Sequence, residues 1–219
     1  MEFLYNGLIA QLAPLDQKLL LQKAQIITFR AGEVLSLLGD QTSNIYFLTK
    51  GSVALFVPNK VNDIRSGLAV GLVGSEGALG LQVALGLGAG NLKLIAQSSG
   101  QAYAVDAALA SRLVKRKSGL LHAFVGYLWT EYESLTRFAA MSHNQDIRVR
   151  YAHWLLLSAQ RCAPDALMLT HSQTAYMLGV RRVSITLAAQ ELKALGLIAY
   201  SRGHIKLKNP EALQKVIES

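Results

Sequence analysis

Thiol chemistry is almost absent from this chain. Its one cysteine, Cys162, excludes an intramolecular disulfide and any all-cysteine metal or iron–sulfur site within a subunit. A cytosolic address follows most simply. Acidic residues are also few: 14 Asp and Glu stand against 22 Lys and Arg, giving 219 residues a net charge of +8. That imbalance suits a polyanionic partner, though a merely basic protein would share it. No apolar run is long enough for a membrane span; the charge-free stretch 77–92 is too short, is broken by five glycines, and reads as sheet and turn. The start, MEFLYNGLIAQL, has Glu2 and no basic leader, so it does not read as a secretory signal. Ser-His-Asp sets, paired carboxylates and Walker loops are missing at informative spacing, and Ser142, His143 and Asp146 form only a local cluster in a polar hinge. These absences argue against an enzyme, a membrane protein and a metal site.

What is present is a hydrophobic content of 51%, ample for real cores. The basic excess is concentrated late: residues 142–219 carry +5, and the longer segment 1–141 only +3. Counterion release from neutralised phosphates makes nucleic acid the natural polyanion for the shorter, more basic part.

In chain order, Leu8, Leu12, Leu15, Leu19 and Leu20 predict small helices interrupted at Pro14. Short apolar runs at Ile26–Phe29, Val34–Leu38, Ile45–Leu48 and Ser52–Val57, divided by turn residues, predict an antiparallel β-roll ending near Val105. A helix over Asp106–Lys117 and a longer one to about Met141 follow. On the latter, Leu121, Phe124, Leu128, Leu135 and Phe138 form an apolar seam, with Glu131 intruding at one position; the seam predicts pairing with a second copy. A helix buried within one chain is the plainer alternative. Ser142–Ile147 reads as a hinge, Arg148–Arg161 as an amphipathic helix with Trp154, Leu155 and Leu157 in a core, Met168–Leu169 as a short strand, and Pro210–Ile217 as a terminal helix.

The stretch THSQTAYMLGVRRVSITLAAQELKALGLIAYSRGHIKLK predicts a helix-turn-helix with a wing. Thr170 or Ser172 can cap a first helix ending at Leu178, Gly179 supplies the turn, and a second helix starts at about Arg181. Ile185, Ala188, Ala189, Leu192 and Leu195 mark its buried stripe. Its other face holds Arg182, Val183, Thr186, Leu187 and Gln190. Exposed aliphatics beside Arg and Gln suit a major groove, where apolar groups meet thymine methyls and polar ones bond to base edges. After Gly196, two short runs joined through Ser201, Arg202 and Gly203 read as a hairpin with a basic tip. An ordinary antiparallel helix pair is the bland alternative.

The same stretch resembles the C-terminal DNA-binding domain of the cyclic-AMP receptor protein and fumarate-nitrate regulator (Crp/Fnr) superfamily, in its branch with an MLGVRR turn. The earlier segment FRAGEVLSLLGDQTSNIYFLTKGSVALFV resembles the cyclic-nucleotide-binding domain that precedes it there. The resemblance implies an α+β chain: a cyclic-nucleotide-binding-like antiparallel β-roll over residues 1–118, a dimerisation helix over 119–141, and a winged helix-turn-helix over 142–219. It implies a bacterial transcription regulator, a homodimer on pseudo-palindromic double-stranded DNA with RNA polymerase as a further partner. Thr170, His171, Ser172 and Arg202 would hold phosphates, and Arg181, Arg182, Val183, Thr186, Leu187 and Gln190 would face the groove.

In cyclic-AMP-binding relatives a Gly-Glu-Leu motif, followed by Arg-Ser, grips ribose and phosphate. Here the stretch is EGALGLQVALGLGAGNLKL: Gly80 is retained, Leu81 replaces the glutamate and Asn91 stands near the arginine's place. Lys93 could compensate only from a shifted register. Leu135 and Thr136 stand where those relatives meet the adenine. Burying a phosphate without a cation costs several kcal/mol on the order of its desolvation, so cyclic AMP and cyclic GMP are not expected, and the effector is a less charged molecule or none. An iron–sulfur cluster lacks its cysteines. Haem lacks a convincing axial ligand: His122 reads as a surface histidine, and His153 beside Trp154 as structural. The rival readings are a sensing or protein-interaction module that has lost specific DNA binding, and an enzyme using the roll as its pocket.

Overall fold

The computed structural model describes residues 4–36, 43–58, 67–88, 90, 92–144, 146–162, 167–201 and 203–218. Two short helices, α1 (Gly7–Ala10) and α2 (Pro14–Leu21), lead into a roll of two four-stranded antiparallel sheets. One sheet orders β1 (Gln25–Phe29), β8 (Gly100–Asp106), β3 (Asn44–Lys50) and β6 (Ala78–Leu79). The other orders β2 (Val34–Ser36), β7 (Lys93–Ala96), β4 (Val53–Pro58) and β5 (Gly67–Val73). Alternation along these strands puts Phe47 and Val105 on one face and Leu48 and Ala102 on the other, so the first sheet has apolar partners on both sides. Asn6 ties α1 to the roll: its Oδ1 accepts from the Ile9 N–H at 3.0 Å, and its Nδ2 donates to the carbonyls of Leu48 at 2.7 Å and Gly77 at 2.8 Å.

The stretch 77–92, expected as sheet and turn alone, contains a helix, α3 (Leu81–Ala84), whose N-cap is Gly80 at φ +84°. Four residues suffice to carry Leu81 and Ala84 into the core, a spacing too short to register as periodic. Helix α4 (Ala107–Arg116) is capped by the Asp106 side chain, and the long α5 spans Ser118–Asn144. It runs through Ser142–Asn144, so the polar hinge expected over Ser142–Ile147 is helical at both its ends, Ile147 opening α6 (Ile147–Arg161), which Asp146 caps.

Beyond α6 come β9 (Leu167–Met168), α7 (His171–Met177), α8 (Arg182–Ala194), the hairpin β10 (Ile198–Ser201) and β11 (His204–Leu207), and α9 (Pro210–Glu218). Strand β9 pairs with β11 to complete a three-stranded sheet. Trp154, Leu155, Tyr151 and Leu192 are buried at the centre of this unit. Leu195, expected on the buried stripe of α8, is 59% exposed at the helix's C-cap. The unit is not detached from the roll: Phe56 of β4 stacks on Tyr176 of α7 at 5.0 Å, and Ala69 and Leu72 of β5 join the same buried cluster as α6.

Helix α5 is apolar on two faces, and this corrects the expected seam. Phe124 and Phe138 are buried within their own chain, Phe124 against Phe47 at 5.9 Å between ring centroids and Phe138 against Trp154 at 6.2 Å. Leu128 and Leu135 are partly buried and line a cavity between α5 and the roll. The outward stripe is Leu121, Val125, Trp129 and Tyr132, spaced by four, four and three.

Candidate nucleic-acid interface and effector pocket

Thr170 caps α7 in a reciprocal capping box: its hydroxyl accepts from the Gln173 N–H at 3.1 Å, and the Gln173 side chain accepts from the Thr170 N–H at 3.0 Å. The turn follows at Gly179, with φ +63°, where a Cβ would also meet the Gly67 carbonyl oxygen at 3.1 Å. Helix α8 begins at Arg182, with Arg181 as its N-cap, one residue later than the sequence suggests. Ile185, Ala188, Ala189 and Leu192 face inward, while Arg182, Val183, Leu187 and Gln190 are exposed. Val183 at 68% and Leu187 at 55% exposure are the outermost apolar groups on that face.

Thr186 departs from the expected base-reading set. It is half-buried, its hydroxyl donates to the Arg182 carbonyl at 3.1 Å, and it lies 3.2 Å from His171 Nδ1. It therefore braces α7 against α8. His171 also packs edge-on to Tyr200 of β10, and burial, reinforced by Arg182, lowers its pKa, favouring the neutral ring. Thr170, His171, Ser172, Arg182 and Gly203 line one cleft of about 290 Å³ between α7, α8 and the hairpin. The expected phosphate holders thus come together beside Arg182; Arg202 lies outside the described residues.

The second candidate site is a cavity of about 410 Å³ between the roll and α5. Gly80, Leu81 and Leu135 line it as expected, together with Leu79, Leu92 and Leu94. Asn91 lies outside the described residues. Two expected members are elsewhere. Lys93 alternates to the opposite face of β7, away from Leu92 and Leu94, with its ammonium 5.9 Å from the Phe56 ring centroid. Thr136 is exposed and bonds back to the Glu133 carbonyl at 2.9 Å. Among the described residues no Lys, Arg or His lines this cavity, and its one carboxylate is Glu131.

Glu131 and its partners were not anticipated. Arg161, in the last turn of α6, reaches Glu131 at 3.1 Å and Glu76, in the β5–β6 turn, at 2.7 Å. The three charges join α5, α6 and the roll at one point. Burial pushes the Glu131 carboxyl up, a rise that Arg161 opposes and Glu76 reinforces. The only sequence signal was a glutamate on an otherwise apolar seam; nothing local pointed to an arginine thirty residues later. His122 is exposed, and His153 packs on Phe138 with its pKa lowered by burial, which fits the structural role expected of it.

Residues 149–216 match the family of Crp-like helix-turn-helix domains. No curated protein matches the chain by sequence. Among solved structures, FixK2 from Bradyrhizobium japonicum is similar over 88% of this chain and 96% of its own, with a TM-score of 0.75 and 15% identity. A putative transcriptional regulator of the Crp/Fnr family from Eubacterium rectale is similar over 98% and 99%, with a TM-score of 0.71 and 15% identity. CLP, a c-di-GMP responsive global regulator from Xanthomonas campestris, is similar over 89% and 99%, with a TM-score of 0.68 and 16% identity. At such identities the likeness establishes a common fold. No helix among the described residues is long and apolar enough to cross a membrane.

Proposed function

We propose that the chain, which carries a Crp-like helix-turn-helix domain at residues 149–216 and shares the fold of Crp/Fnr regulators, is a DNA-binding transcription regulator of that type acting as a homodimer on a pseudo-palindromic site. The observation that carries this reading is the outer face of α8, where Val183 and Leu187 stand exposed between Arg182 and Gln190. Apolar groups held out to water beside a guanidinium and an amide match the mixed chemistry of a major-groove edge. The cleft of Thr170, His171, Ser172 and Arg182 suits the flanking phosphates, and Arg202 would add a cation at the hairpin. Two copies related by a dyad put the helices about 34 Å apart, one turn of duplex.

Selection from random duplexes, with purified protein and no added ligand, is expected to return a pseudo-palindrome. Recovery of unrelated sequences would defeat the reading. Arg182→Ala is expected to weaken binding by about 1–3 kcal/mol and to relax specificity at one base pair; equal losses on specific and scrambled DNA would make it a phosphate contact.

The roll serves as the sensor in this reading, for a molecule other than a cyclic nucleotide. The cavity is lined by leucines, no described residue lining it offers a cation to a phosphate, and Lys93 faces away from it. Calorimetry with cyclic AMP and cyclic GMP is expected to give no saturable binding in the micromolar range. Such binding would refute this part.

A further inference from the structure

The cavity and the α6 junction share one side chain. Glu131 lines the cavity, is 7% exposed, and gives Oε1 to Arg161. Helix α6 is the first helix of the DNA-binding unit, and Arg161 is its last residue. The helix end lies against the roll: a Cβ on Gly74 would sit 2.1 Å from the Arg161 carbonyl oxygen. One helical turn from Glu131, the Tyr127 hydroxyl is buried near the Ala78 backbone without a well-formed hydrogen bond. The pocket therefore offers an apolar wall, one negative charge already claimed by the DNA-binding unit, and one under-used hydroxyl.

We propose that Glu131 reads the effector: an apolar molecule carrying one amine takes the carboxylate from Arg161 and so frees the end of α6 from α5, leaving Arg161 tied to Glu76 of the roll. The assignment rests on the reading of the roll as a sensor, and it fixes both the ligand's chemistry and the route to the DNA-binding unit. An ammonium inside an apolar cavity needs a buried anion, and Glu131 is the one on offer. A carboxylate or phosphate would face Glu131, with Glu76 behind it and Arg161 between the two already bound to both. Since the amine and Arg161 compete for one carboxylate, each must weaken the other's hold, as linkage requires.

The test uses the full-length protein and three probes with one apolar body, namely octylamine, octanol and octanoate below their micellar concentrations. By calorimetry octylamine is expected to bind saturably, about tenfold tighter than octanol, and octanoate not to bind. Glu131→Gln should erase the preference for amine over alcohol while octanol still binds. Arg161→Met should tighten octylamine several-fold and leave octanol unchanged. Hydrogen exchange in the last turn of α6 should quicken on adding octylamine to the wild type, and not in Glu131→Gln. Should Arg161→Met fail to fold, Gly74→Ala displaces the same helix end through the Arg161 carbonyl oxygen, crowding Glu76 Oε2 at 2.8 Å as well, and should tighten octylamine likewise. Equal binding of amine and alcohol, or an amine affinity indifferent to both displacements, overturns the role of Glu131. Absence of saturable binding by any of the three overturns the sensor reading beneath it.

Discussion

Trp129→Asp is expected to leave each subunit folded and to convert the proposed homodimer to monomers. Trp129 is 60% exposed and touches Tyr132 at 5.4 Å between ring centroids, so a carboxylate in its place meets water in the free subunit. Surface substitutions of that kind shift stability by only about 0.5 kcal/mol. Against a second α5 the same change is severe. A twofold axis along the stripe of Leu121, Val125, Trp129 and Tyr132 would pair aromatic with aromatic, and the substitution enters the interface twice. At about 2 kcal/mol for each aromatic anchor, the dimer loses about 4 kcal/mol, a thousandfold in its dissociation constant. Sedimentation equilibrium measures that loss, and binding to a two-half-site duplex should fall with it. Ile26→Lys, equally exposed on the edge strand β1, serves as the control and should change neither. A Trp129→Asp protein that stays dimeric at micromolar concentration would place the interface elsewhere.

The outward stripe and the inward residues of α5 are not separable by local pattern, which shows what such patterns can carry. A helix-turn-helix is written in neighbouring residues: Thr170 with Gln173 for the cap, Gly179 and Gly196 at φ +63° and +70° for the turns, Ile185 through Leu192 for the buried face. Each is a signal within a few positions, and each could be read. The β-roll was legible as strands between turn residues, but not in its pairing, because β1 lies on β8 with Gln25 opposite Ala104. Long-range registers are set by which faces meet, and a sequence does not state that. Helix α5 has more apolar residues than one seam needs, so a single-stripe reading merged two. Phe124 and Phe138 point into their own chain, and Trp129 and Tyr132 point out. Glu131 was visible as an anomaly, yet its meaning depends on Arg161 arriving from another helix. Lys93 shows the reverse: strand alternation alone puts it opposite Leu92 and Leu94, and the structure keeps it there.

Arg161→Met is expected to cost about 3 kcal/mol of stability near neutral pH, the lower end for breaking a buried pair, since Glu76 keeps partial access to water. The loss should depend on pH in a direction that the charges fix. Glu131 is faced by Arg161 from α6, by Glu76 from the β5–β6 turn, and by Tyr127 from its own helix; removing Arg161 leaves it desolvated beside a like charge. Its pKa, already raised in the folded protein by burial, then rises further. A carboxyl with a raised folded pKa binds its proton more tightly folded than unfolded. Its contribution is therefore fully present below the unfolded pKa of about 4.3 and is lost as pH climbs through the folded value. The deficit of Arg161→Met relative to wild type should accordingly be largest at pH 7.5 and shrink toward pH 5, as Glu131 takes up its proton. Adding Glu131→Gln should recover most of it at pH 7.5, since the amide buries no charge. Urea denaturation of the four proteins of this cycle at the two pH values measures each term. A deficit equal at both, or undiminished in the double variant, would mean that Arg161 acts through packing of its stem and not through the carboxylate it holds.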